Sequence, residues 1–211
     1  MDEEGYAGLY FRDVRVITGT PVADARGVML WEQKAAAWVA NHSANEAEFE
    51  ELAKAAEGID ADGEIEDLEA LADLPATLAE DQHCLWGLDL GVSGLSHVLS
   101  ALGFYPVASC RSHLAHSWSP EPVVLFASDE DRLRLLQPFI AESGCGLGLD
   151  SSRGHTLVVV YAPSIVEMLA LTASIFDARA SFRSLPKTAR KQSQPDEVVV
   201  AAPEEGRPTL F

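Results

Sequence analysis

Long apolar runs are missing from this 211-residue chain, and so is any surplus of positive charge. No stretch approaches the roughly 18 to 20 uninterrupted apolar residues that a membrane span needs, so no membrane association is expected. The opening residues, Met1-Asp2-Glu3-Glu4, carry acid where a secretory leader carries base, and export by that route is not expected either. Cysteine is scarce. Cys84, Cys110 and Cys145 are an odd number without the spacing of a disulfide framework, which points to a reducing compartment, the cytoplasm by default. Lys and Arg together number 15 against 33 Asp and Glu, for a formal net charge of −18. The imbalance is concentrated in residues 1–90, which hold 21 acidic and 5 basic side chains. A surface of that sign repels phosphates and disfavours nucleic acid as a partner. It serves either as a solvated face that keeps the chain in solution or as a docking face for a basic protein partner.

What the chain does have is 47% hydrophobic residues, enough for one good core with a smaller appended unit. Val14-Arg15-Val16 alternates as a half-buried strand does, ahead of the Gly19-Thr20-Pro21 turn. Leu30, Trp31, Trp38 and Val39 can share one face of a helix over 30–40. Ser43-Ala44-Asn45-Glu46 matches a capping box, predicting a second helix over about 44–57. After Asp62-Gly63, Ile65, Leu68 and Leu71 predict a third acidic helix that stops before Pro75. Residues 1–81 therefore read as a strand plus an acidic helical unit.

Near Leu85 the composition turns apolar and β-branched, and the main core is expected over 82–179. Leu95, Val98, Leu99 and Leu102 stand at i, i+3, i+4 and i+7, which predicts a helix with one buried face that stops at Gly103. Strands are expected over 104–110 and 122–127. A helix capped at Ser128-Asp129 follows, kinked or ended early by Pro138. Two more strands over 145–149 and 156–161 lead to a long helix with Pro163 in its first turn, reaching about Arg179. Strand, strand, helix thus occurs twice, predicting a two-layer α+β fold with a mainly antiparallel four-stranded sheet. Residues 180–211 read as a flexible or partner-bound tail. They contribute to a basic run of Arg179, Arg183, Lys187, Arg190 and Lys191.

Several constellations could carry chemistry. Cys110, His113 and His116, spaced Cys-x2-His-x2-His in the longest polar connection of the core, supply one thiolate and two imidazoles, a set suited to zinc. His83, Cys84, Glu121 or water could complete it, and Cys110 could instead be a nucleophile activated by an imidazole. A half-buried cysteine beside two loop histidines accounts for the same residues. Residues 58–69 resemble an EF-hand calcium loop, with Asp60, Asp62, Gly63, Ile65 and Glu69 at the third, fifth, sixth, eighth and twelfth positions. Gly58 stands where the first aspartate ligand belongs, and an Asp-Gly turn between acidic helices serves equally well. Asp89 to Gly94 precedes a helix whose amides could bind a phosphate or a carboxylate.

Gly94 to His113 resembles the Ser-Ser-Cys-Ser-Gly-Arg region of the tRNA wybutosine-synthesising methyltransferase family at Ser109 and Cys110. Ala108 replaces the other serine, and Ser112 and His113 replace the glycine and arginine, so neither methyl transfer nor S-adenosylmethionine binding is carried over. The functional expectation is a cytoplasmic protein-binding or regulatory module. Its acidic face includes Glu48 and Glu51 on the second helix and Glu64 and Asp67 on the third. The competing expectation is a metal-dependent hydrolase that uses Cys110, His113 and His116 beside Asp89 or Glu121.

Overall fold

A computed structural model describes residues 17–57, 85, 87–114, 119–150 and 157–186. The expected third helix, the calcium-type loop at 58–69, all but Ile17 of the opening strand and everything beyond Pro186 lie outside these residues. Among the described residues, helix α1 spans Val22–His42, α2 Glu46–Glu57 and α3 Ser93–Ala101. Strands β1 (Tyr105–Cys110) and β2 (Val123–Ala127) lead to α4 (Glu130–Ser143). Strands β3 (Gly146–Asp150) and β4 (Leu157–Tyr161) then lead to α5 (Ile165–Asp177) and the short α6 (Arg179–Arg183). The strands form one sheet in the order β1-β2-β4-β3, with every neighbouring pair antiparallel. This is an α+β fold with the four-stranded antiparallel sheet that the sequence predicts. No helix among the described residues is long and apolar enough to cross a membrane.

The central strands β2 and β4 read Val-Val-Leu-Phe-Ala and Leu-Val-Val-Val-Tyr because both sides of the sheet bury apolar groups. On one side Val124, Phe126, Val158 and Val160 join Leu95 and Leu99 of α3, Leu136 and Ile140 of α4, and Leu171 and Ile175 of α5 in the main core. On the other, Val123, Leu125 and Cys110 form a smaller buried cluster. Pro106 sits in edge strand β1, where a missing amide is tolerated, and the register slips between Pro106 and Ala108.

Helix α1 starts eight residues earlier than its clearest apolar spacing suggests. Ala25 and Met29 enter the main core, while Val28, Trp31, Ala35 and Val39 pack with Ala53 and Ala56 of α2. Two buried stripes hold the helix through Gly27, against that residue's poor helix propensity. The cap of α2 also differs from expectation. Asn45, not Ser43, accepts from the Glu48 amide at 3.0 Å, and the Glu48 carboxylate accepts from the Ala44 amide at 2.7 Å.

Helix α3 is buried from Ser93 to Ser100 rather than on one face. Its polar side carries three buried serines and His97, with Ser100 accepting from Thr20. The Ser96 hydroxyl donates to the Val92 carbonyl and the Ser93 hydroxyl to the Leu85 carbonyl. At Gly94 a Cβ would stand 3.3 Å from Cα of Met29, so α1 and α3 cross with almost no side chain between them. Helix α4 runs through Pro138 to Ser143, closing on Gly144 in the left-handed region, because Leu136 and Ile140 bury on either side of the proline. Ser164, rather than Pro163, starts α5, its hydroxyl accepting from the Val166 amide. Packed structure continues past Ala180. Phe182 is fully buried in the main core, and the Arg132 guanidinium ties the Leu102 and Pro186 carbonyls together.

Candidate functional site

Two buried carboxylate systems lie where α1 and α2 meet the start of α3 and the end of β1. The first answers the question raised by the Asp89–Gly94 segment. Glu32 of α1 is fully buried, and its carboxylate accepts from the amides of Gly91 at 2.8 Å, Ser93 at 2.9 Å and Gly94 at 2.9 Å. A carboxyl group does sit on these helix-start amides, but the chain itself supplies it. Burial pushes the Glu32 carboxyl up to about 8, against the three amides, which pull it down. Gly94 must lack a side chain here, because a Cβ would fall 2.3 Å from Oε2 of Glu32. Gly91, at φ +95°, lies against Ile165 in the same way.

The second system is built around Arg111, whose side chain is only 3% exposed. Its Nε donates to Glu57 at 2.9 Å and its Nη1 to Glu50 at 2.8 Å, so two residues of α2 that lie two turns apart grip one guanidinium. Its backbone amide donates to Oδ2 of Asp89 at 2.9 Å. His113 completes the network, with Nδ1 2.8 Å from Glu50 and Nε2 2.9 Å from Asp89. A ring flanked by carboxylates at both nitrogens is best satisfied as an imidazolium donating twice. The bond to Asp89 is the largest cause that raises His113, to about 9. Glu50 and Asp89 are both held below the ordinary carboxylate range, because their bonds to His113 and Arg111 outweigh burial. Glu57 goes the other way. Burial raises it to about 7 despite the adjacent guanidinium.

The loop that delivers these groups turns sharply at Ser112, a non-glycine residue at φ +71° whose amide donates to Sγ of Cys110 at 3.3 Å. Asp89, Cys110 and His113 converge here, their candidate ligand atoms all within 4.8 Å of one another. Two of the three metal candidates read from the sequence, Cys110 and His113, are therefore brought together, with Asp89 as the third group. His116, His83 and Cys84 lie outside the described residues. Glu121 is exposed, bonded locally to Ser119, and not part of the cluster.

Glu48 and Glu51 are both exposed on α2, and Glu48 is engaged in the helix cap. Glu64 and Asp67 lie outside the described residues. Of the basic run, Arg179 is held by the Phe176 carbonyl at 3.0 Å and by the Phe176 ring, whereas Arg183 is exposed. Sequence reasoning missed the roles of Glu32, Glu50, Glu57 and Arg111. A signal was present for Glu50 and Glu57, which share a helical face with the buried Ala53 and Ala56. Compared with protein-family models, with curated proteins and with solved structures, the chain matches none.

Proposed function

We propose that the chain is a cytoplasmic protein-binding or regulatory module that presents the outer, acidic side of α2 to a basic protein partner. The observation that supports this reading is the division of carboxylates along one helix. Glu50 and Glu57 turn inward onto Arg111, while Glu46, Glu48 and Glu51 face outward. Two inward ion pairs, seven residues apart, fix the roll of α2 and hence the direction of its outward acids. Because Glu48 is committed to the cap, Glu46 and Glu51 are the carboxylates best able to meet a cation. Glu64 and Asp67 extend the set on the sequence reading. Outward acid of this kind steers a basic partner and sets the register of docking more than it adds raw affinity.

The test is capture of partners from native lysate by the wild-type chain and by the Glu46→Lys/Glu51→Lys double variant. Salt-sensitive partners, identified by mass spectrometry and missing from the variant's captures, are expected. An identical set from both proteins, or a monomer that captures nothing at any salt, refutes the reading.

A metal-dependent hydrolase is the second reading, favoured by the convergence of Asp89, Cys110 and His113. Three protein ligands would leave a coordination position at which a metal could activate water. It predicts hydrolysis of an activated ester or phosphoester by the metal-loaded chain and none by Cys110→Ala.

A further inference from the structure

We propose that Asp89, Cys110 and His113 form a zinc-binding centre, with a carboxylate oxygen, Sγ and Nε2 as its three protein ligands and Glu50 as the residue that orients the imidazole. This goes beyond the docking surface on α2, and it concerns binding alone, whether or not any reaction follows. The three donors come from the loop before α3, the end of β1 and the turn after it, and the fold gathers them within 4.8 Å. A thiolate and an imidazole suit zinc and not calcium or magnesium, which take oxygen.

The neighbours are placed as a metal centre requires. Nδ1 of His113 faces Glu50 at 2.8 Å, which fixes the ring and leaves Nε2 directed at Asp89. A carboxylate behind a liganding histidine makes the imidazole a better ligand. The Arg111 amide donates to Asp89, and the Ser112 amide donates to the sulfur of Cys110. The three donor atoms, at most 4.8 Å apart, would re-space around the ion. Tetrahedral zinc, with bonds of about 2.0 to 2.3 Å, places its ligand atoms about 3.4 Å apart. The Asp89 to His113 contact, now 2.9 Å, would therefore widen by about half an ångström.

His116, the other imidazole suggested by the sequence, lies outside the described residues, and the remaining position is left to it or to water.

The experiment titrates the chelator-treated, full-length chain with cobalt(II) alone, then with zinc. One cobalt per chain is expected, with a thiolate-to-cobalt charge-transfer absorption that zinc abolishes by displacement. Cys110→Ala should lose that absorption. Cys110→Ser, which keeps the side-chain volume, gives the same readout should the smaller residue compromise folding. Glu50→Gln keeps all three ligands and should weaken binding by about 10- to 100-fold. Absence of a sulfur-to-cobalt band at one equivalent, or a band of full intensity in either Cys110 variant, would overturn the proposal. Unchanged affinity in Glu50→Gln would remove Glu50's role.

Discussion

Replacing Arg111 with methionine tests how much of the fold hangs on one guanidinium. The side chain is 3% exposed and lies between carboxylates that are themselves only 11% and 13% exposed, so water cannot stand in for it. Removing one member of a buried pair costs about 3–5 kcal/mol, chiefly because the remaining charge is left uncompensated. Here the cost depends on pH. Glu57 titrates near 7 in the folded chain with Arg111 present, above its ordinary value of 4.5. A carboxyl raised on folding is neutral in both states at low pH and lowers stability as pH climbs from the unfolded value to the folded one. Without the guanidinium that window extends upward, and at pH 5.5 the variant can hold Glu57 as the neutral acid.

Urea unfolding followed by far-ultraviolet circular dichroism should therefore show a loss of about 3–5 kcal/mol at pH 8 and a distinctly smaller one at pH 5.5. Adding Glu57→Gln, which keeps an acceptor for the Leu90 amide, should recover a large part of the loss at pH 8. A loss under about 1 kcal/mol at pH 8 would refute the reasoning, because that is the scale of an exposed pair. Equal losses at both pH values without recovery in the double variant would refute it too.

Glu32→Ala leaves three buried amides without an acceptor and should cost about 3 kcal/mol or more by the same assay, with Glu32→Gln intermediate because its amide group must face a donor. Gly27→Ala should stabilise the chain by about 0.5–1 kcal/mol in thermal unfolding, since a Cβ there meets nothing within 4 Å and the position lies inside α1. His113, raised from 6.5 to about 9, contributes stability that is fully present below pH 6.5 and is lost as pH rises through 9. At a side chain 21% exposed, that amounts to about 2 kcal/mol after solvent screening. The decline between pH 7 and 10 should flatten in His113→Gln.

Strands and helices of the later part were legible because β-branched runs and i, i+3, i+4 spacings follow directly from burial. Val123 to Ala127 and Leu157 to Tyr161 needed no other information. What escaped was whatever depended on a partner distant in sequence. The start of α1 at Val22 is hidden by Gly27 until α3 is known to lie against Ala25 and Met29. Helix α3 reads as one-sided because serine counts as polar, yet Ser93, Ser96 and Ser100 are buried in hydrogen bonds. At the site, the Cys110 to His113 spacing singled out the loop on which Asp89, Cys110 and His113 converge. It could not reveal Glu50, which is 63 residues from the histidine it binds. Glu32 is hidden more deeply still. A lone glutamate in an amphipathic helix ordinarily faces water, and only the glycine-serine start of α3 gives it a reason to turn inward.

The two proposals share Glu50, which makes them separable by experiment. Its carboxylate holds the Arg111 guanidinium with one oxygen and Nδ1 of His113 with the other. Zinc would bind at Nε2, at the far side of the ring, and leave the Nδ1 bond to Glu50 as it is. The roll of α2, and with it the outward direction of Glu46 and Glu51, should therefore be the same with and without metal. Partner capture by the wild-type chain should be equally strong in zinc and in chelator, while Glu46→Lys/Glu51→Lys abolishes it in both. Capture that appears only with zinc would mean that the metal reorganises the Glu50 contacts, and the independence of the two sites argued from this geometry would be wrong.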